Sequence, residues 1–315
     1  MRNLLRSSCM RYLKSPLTWG IAAFILLAEI LLARQTVYTE YDGTLILSLN
    51  VLSFLLSLAL GAMVVVLTVG REFSDHTIRN KIITGSSKPQ IFLSESVTAA
   101  AFMSFCYLLT AVPLLCFAQK GFAQLPEGTE PKLFVMFYLL YPAVGILTVL
   151  ITCLAAQRTA AVIITGGVLF GLYFGGLTQF GLLSVSFSKT NTAYVDENVY
   201  DEEGNCTLVT KEYEEPNPFY LPDGRRHFYR TVGALNPGYT LMEAVMYTEY
   251  QGRELMRRLT AEDMEEASWQ RYWAKRERRQ KEDTDFLMIE ILMQCGLIVL
   301  LLGAGAFSFR LRDLK

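Results

Sequence analysis

Glu29 and Glu290 are the only acidic residues well inside the apolar stretches of this chain. A carboxylate so placed faces a cavity, serves a proton path, pairs with a buried charge, or reaches the interface from a span end. Neither belongs to a catalytic constellation. There are only two histidines, His76 and His227, and the topology that the short connections set puts them on opposite faces of the membrane, against a clustered metal site,. The sequence contains no G-x-x-x-x-G-K-[ST] loop to cradle nucleotide phosphates and no G-x-S-x-G nucleophile turn,. The chain is thus expected to hold no metal or cofactor of its own. The densest run of reactive side chains is "GREFSDHTIRNKIITGSSKPQ" at 70–90, which carries both signs of charge but no metal or nucleotide spacing. Its purpose has to be read from its surroundings.

Those surroundings are apolar. Five uncharged runs, 43–70, 96–119, 133–157, 159–188 and 291–309, are each about as long as a hydrocarbon core requires, and a sixth, 15–33, is broken only by Glu29,. Insertion of the first run costs about 3 kcal/mol for a central acid, offset by roughly 0.5 kcal/mol for each of its many Leu, Ile and Phe residues. Its long basic leader and the poor cleavage sequence "LLARQ" mark it as a retained span rather than a secretory signal,. The fold class is therefore an all-α polytopic membrane protein, with spans near 17–34, 44–69, 92–118, 132–155, 159–183 and 286–308. With 29 basic and 30 acidic residues, bulk charge offers nothing to nucleic acid,.

The short connections set the orientation. Arg2, Arg6, Arg11, Lys14, Arg71, Arg79, Lys81, Lys88, Arg158, Arg310, Arg312 and Lys315 fall on one side, and only Arg34, Lys120 and Lys132 on the other. Positive residues stay inside, so both termini are expected in the cytoplasm. The chain then divides into an amphipathic segment (1–16), spans one to five (17–183) with a cytoplasmic loop at 71–91, an extracytoplasmic insert (184–285), and the last span with its tail (286–315). The insert is long enough to translocate despite its basic residues. Pro216, Pro218, Pro222 and Gly224 predict loops and short strands up to 237, with helix from about 239,. Thr260-Ala261-Glu262-Asp263 resembles a capping box for a helix reaching about 283.

Asp75 is expected to N-cap a short helix over 76–84 that Gly85 ends, with Ile78 and Ile82 on one side. The alternative is a solvated connection whose charges only fix topology. Ser87-Lys88-Pro89-Gln90 reads as the start of the third span. At the N-terminus, Leu4, Leu5, Cys9, Tyr12 and Leu13 are expected to share one face of an in-plane helix. Gly167, Gly171 and Gly175 form a small-xxx-small strip for helix packing inside the bundle or between protomers. Pro142 predicts a kink in the fourth span, and the cysteines read as small apolar residues.

In "REFSDHTIRNKIITGSSKPQIFLSE", the residues Glu72, Thr77, Ile78, Arg79, Asn80, Lys81, Gly85, Ser86, Ile91, Leu93 and Ser94 resemble the permease subunits of bacterial ABC-2 type transporters. His76, where glycine is usual, and Glu95, where lysine is common, depart from that pattern. The basic start, "LPDGRRHFYRTVGALNPGYTLMEA" and "FSFRLRDLK" extend the likeness over nearly the whole chain. The resemblance implies a multi-pass cell-membrane exporter subunit without an ATPase site. Glu72, Thr77, Ile78, Arg79, Asn80, Lys81 and Gly85 would couple it to a separate ABC ATPase, present in two copies, which binds the ATP and magnesium. A second permease chain, identical or related, would complete the assembly in membrane lipid. The contrasting reading is a membrane-anchored sensor or assembly factor that binds an external ligand through 184–285.

Overall fold

The computed structural model describes residues 1–38, 43–117, 129–185, 190–200, 206–242 and 266–311. Along the chain these form α1 (Arg2–Lys14), α2 (Pro16–Tyr38), α3 (Gly43–Ser74), α4 (Thr77–Ile83), α5 (Lys88–Phe117), α6 (Thr129–Ala155) and α7 (Arg158–Val185). There follow β1 (Thr190–Tyr200), β2 (Cys206–Pro216), α8 (Asp223–Gly233) and α9 (Glu266–Leu311). Among the described residues, six helices are long and apolar enough to cross a membrane: α2, α3, α5, α6, α7 and the part of α9 from Phe286 onward. The protein is a helical multi-pass membrane protein, and all six spans fall where the uncharged runs put them.

Helices α3, α5 and α6 form the inner part of the bundle, while α2, α7 and α9 leave most of their surface uncovered. In a bilayer, helices gain little by hiding apolar side chains from lipid, so close packing and internal hydrogen bonds must hold them. Met103 of α5 illustrates the packing. A Cβ on Gly61 of α3 would sit 2.7 Å from its sulfur, and one on Gly145 of α6 would sit 2.8 Å from its Cγ. Two glycines therefore let three helices close around one flexible side chain. Phe54 stacks on Phe137 at 4.8 Å, and Tyr107 meets Tyr141 edge-on at 5.4 Å. The Tyr141 hydroxyl donates to the Phe54 carbonyl at 3.1 Å and also contacts the Ser57 hydroxyl. Pro113 and Pro142 both lie inside continuous helices.

The insert departs from expectation. Strands β1 and β2 form an antiparallel ribbon registered from Thr190↔Pro216 to Tyr200↔Cys206, as the strand reading required. Residues 223–233, read as loop and strand, are instead the helix α8, followed by a helical turn at 237–242. The expected helix ending near 283 and the last span are one element, the 46-residue α9. The proposed capping box at 260–263 lies outside the described residues. Among the five cysteines whose burial is described, Cys106 and Cys153 are buried and fill core space, whereas Cys9, Cys116 and Cys295 are exposed.

Candidate functional site: a buried charge cluster beneath the short helix

The site begins with how the turn after α3 is made. Gly85 has φ +94°, a conformation only glycine adopts without strain,. Its N–H bonds the Ile82 carbonyl and the Ser86 N–H bonds the Lys81 carbonyl, both at 3.0 Å, which closes α4 with a Schellman motif,. Ser87 then opens α5, and Gln90 reaches back to accept the Ser87 N–H at 3.2 Å,. The N-terminal expectation fails. Residue 76, not 75, is the N-cap of α4; it makes no side-chain cap bond and has φ 55°. Asp75 instead pairs with Arg71 one turn back, at 3.1 Å on the surface. His76 thus occupies the left-handed region that glycine favours, in a sequence where glycine would have been at ease.

Burial divides α4 into two sides. Ile78 and Lys81 are buried and Ile82 is half-buried, while His76, Arg79 and Asn80 are exposed and Ile83 is 73% exposed. Ile78 and Ile82 therefore anchor the helix as their spacing predicts. Lys81 does not face outward with Arg79; it points into the protein and meets two carboxylates. Its Nζ donates to Glu72 Oε1 at 2.8 Å and Oε2 at 2.9 Å, and to Glu95 Oε1 at 2.9 Å. From α1, Arg11 Nη2 donates to the same Glu95 oxygen at 2.8 Å, Ser8 Oγ donates to it at 2.7 Å, and Arg11 also pairs with Glu72. Four elements thus meet at one point, with formal charges that cancel.

Glu95 is fully buried and Glu72 is 3% exposed, whereas the Arg11 side chain keeps 27% of its surface. Desolvating these ions is costly, and their mutual attraction offsets the cost only while every partner stays in place. Burial pulls the Lys81 ammonium below the ordinary lysine range, and the Glu95 carboxylate acts against that pull. Beside the cluster, Tyr12 of α1 is buried and packs on Phe102 of α5 at 5.1 Å. Burial, with the Glu95 charge second, pushes its phenol well above the usual tyrosine value. The face of α1 that meets the bundle runs through Leu4, Ser8 and Tyr12, while Cys9 and Leu13, expected on it, are exposed. None of Ser8, Arg11 and Glu95 was expected to be a site residue: Ser8 passed without notice and Arg11 counted only toward orientation. Glu95 was marked only as a departure, and nothing in the spacing of residues 8, 72, 81 and 95 announces that they meet.

The remaining candidates lie elsewhere. Glu29 is 1% exposed in α2, against Ser53 of α3, and Glu290 is buried in α9 one turn before Gln294. Both carboxyl groups are buried within the chain. Gln294 Nε2 donates to the Ala234 carbonyl at 2.6 Å and to the Thr240 hydroxyl at 3.2 Å, which ties the turn after α8 to the last span. Beyond its own turn of helix, a Cβ on Gly167 or Gly171 would meet nothing within 4 Å, and one on Gly175 would meet only Asn236 Nδ2 at 3.9 Å. The close approach on α7 is one residue on: a Cβ on Gly176 would overlap the backbone of Gly238 and Tyr239. Within the chain, Gly176 makes the packing contact expected of its neighbours. The same turn, with Leu241 and Gly238, borders an apolar cleft lined by Leu55, Leu58, Val144 and Tyr173. Among the described residues no group of His, Cys, Asp and Glu is placed to hold a metal. No family model matches the chain, and no curated protein matches it significantly.

Proposed function

We propose that this chain is the membrane-spanning subunit of an ATP-driven exporter of the ABC-2 type, working in the cell membrane and powered by a separate ATPase that docks on α4. The observation that carries this reading is the two-sidedness of α4. One side is fixed to α1, α3 and α5 by buried charges and by Ile78. The other leaves His76, Arg79, Asn80 and Ile83 uncovered on a helix too short to have any fold of its own. A solvated connection that only fixed topology would need no such anchorage. Arg79 and Ile83, a charge and an apolar side chain four positions apart on one side, suit a partner protein.

The division of labour among the expected coupling residues changes accordingly. Arg79 and Asn80, with His76 and Ile83, make the outward contacts; Thr77 is half-buried; Gly85 shapes the turn. Glu72 and Lys81, with Ser8, Arg11 and Glu95, transmit. A push on α4 reaches α1, α3 and α5 together because ions sharing oxygens in a water-poor site cannot move independently. The bundle would respond only insofar as ATPase closure favours one arrangement of these contacts over another.

Purification from native membranes tests the reading. The chain should bring with it a polypeptide that hydrolyses ATP, and Arg79→Glu combined with Ile83→Asp should weaken that association at least tenfold while leaving thermal unfolding unchanged. An external sensor needs no such companion, so a chain that purifies alone and functions without ATP hydrolysis overturns the proposal.

A further inference from the structure

The helix α8 belongs by sequence to the polar insert, yet its contacts set it at the ends of two spans, away from α1 and α4. Gln179, four residues before the end of the apolar part of α7 at Leu183, donates through Nε2 to the Tyr229 carbonyl at 3.0 Å. At 1.5 Å of rise per residue that bond lies about 6 Å inside the end of the span. On the other flank, Phe286, the first residue of the α9 span, takes the Arg230 guanidinium over its ring at 4.0 Å and the His227 ring edge-on at 5.7 Å. Gly233 permits this depth, since a Cβ there would fall 2.8 Å from Gln179 Nε2 and 2.9 Å from the Tyr239 ring. Helix α8 therefore lies against the last turns of the α7 span and the first turn of the α9 span, the level at which hydrocarbon gives way to headgroups,.

The side of α8 turned from the bundle is apolar. Phe228 is 63% exposed, Tyr229 47% and Val232 45%, and Leu235 just beyond the helix is 40% exposed. Arg226 and Arg230 lie on the covered side, the first bonded to Asp223 at 2.6 Å and the second over Phe286. Arg225 alone joins the exposed apolar side, one turn before Phe228 and Tyr229. At the same level, α7 exposes Leu182 and α9 exposes Met288. These belong to the uncovered surface of the spans, and the apolar side of α8 prolongs that surface.

From this we infer that α8 is an interfacial helix whose Phe228–Val232 face is immersed in the phospholipid leaflet around the bundle, with Arg225 on a lipid phosphate. The occupant is lipid rather than water because three large apolar residues at this depth bury their surface only in acyl chains. An aromatic pair and an arginine on one stripe is the arrangement of an interfacial anchor: rings at the headgroup level, a guanidinium reaching outward from its aliphatic stem. Since Gln294 and the Gly176–Gly238 contact tie the following turn to α9 and α7, a leaflet that holds α8 also steadies the segment at 233–242. The inference is independent of what drives transport and of which end of the bundle faces the cytoplasm.

Fluorescence quenching on the full chain in phospholipid nanodiscs tests it. Trp19, Trp269 and Trp273 are changed to Phe, and Phe228→Trp or Val232→Trp is introduced singly, so that failure of one variant to fold leaves the other. Lipids brominated near the headgroup should quench either reporter more than twice as strongly as aqueous iodide does. Adding Arg225→Glu should at least halve the brominated-lipid quenching. Stronger quenching by iodide would put the face in water. Protection from both quenchers would mean that protein, a second copy or another part of the insert, covers it. Either result overturns the assignment, as does quenching by lipid that Arg225→Glu leaves unchanged in respect of the phosphate contact.

Discussion

Lys81 of α4 and Glu95 of α5, fourteen positions apart, meet at 2.9 Å where hardly any side-chain surface remains open to solvent. With Arg11 and Glu72 they make a neutral set whose members are worth little singly and much together. Removing one partner strands an opposite charge, at a cost of about 3–5 kcal/mol. Lys81→Ala should therefore lower unfolding stability by that order, Glu95→Lys by more, and the exchange Lys81→Glu with Glu95→Lys should recover part of the loss. Chemical unfolding of the purified variants measures this, and independent, additive losses would argue against the cluster.

Burial separates neighbours on α4 sharply enough to be read by labelling. A cysteine replacing Arg79 or Ile83 should react with a membrane-impermeant maleimide at least tenfold faster than one replacing Ile78. The comparison is made in open membrane fragments, so it reports burial rather than sidedness. Equal rates would mean that α4 is not packed against the bundle.

Three backbone positions predict changes of opposite sign. His76 and Ala156 adopt φ 55° and 53°, and left-handed geometry costs an ordinary residue about 1–2 kcal/mol,. His76→Gly and Ala156→Gly should each raise stability by up to about 1 kcal/mol. Gly85→Ala, at φ +94°, should lower it by a similar ~1 kcal/mol or more,. Thermal denaturation in detergent compares the three.

The glycines of α7 should be unequal. Gly176→Val would drive a side chain into Gly238 and Tyr239, so it should displace the turn at 237–242 and cost about 1–3 kcal/mol,. Gly167→Val and Gly171→Val meet nothing within 4 Å in the chain and should leave the stability of the single chain within about 0.5 kcal/mol,. Loss of association with a second chain in those two, without loss of stability, would assign their strip to a contact between protomers.

The six spans, the α4 turn at Gly85, the Ser87–Gln90 start of α5 and the β1–β2 strands were all legible because each rests on local physics. Length of apolar run, a glycine's freedom, a cap reaching three residues back and turn-forming breakers act between near neighbours. Where local signals competed, sequence reasoning chose wrongly. Asp75 has the better capping side chain, but Arg71 one turn earlier takes its carboxylate. Proline and glycine around residues 216–224 hid α8, whose helical form is fixed largely by what Gln179 and Phe286 offer from distant spans.

By itself, then, the sequence determined that this chain is a bundle of membrane helices interrupted by a short polar helix and a long polar insert, since those features follow from hydropathy over windows of about 20 residues. Tertiary structure decided the direction each polar side chain takes. Lys81 turns inward while Arg79 turns out, and Glu95, a mere irregularity along the chain, becomes the buried oxygen on which Ser8, Arg11 and Lys81 converge. The physical reason is that a charge in a membrane protein is tolerated where its counter-charges are. Those lie on other helices, at separations of up to 84 residues that no local pattern encodes,.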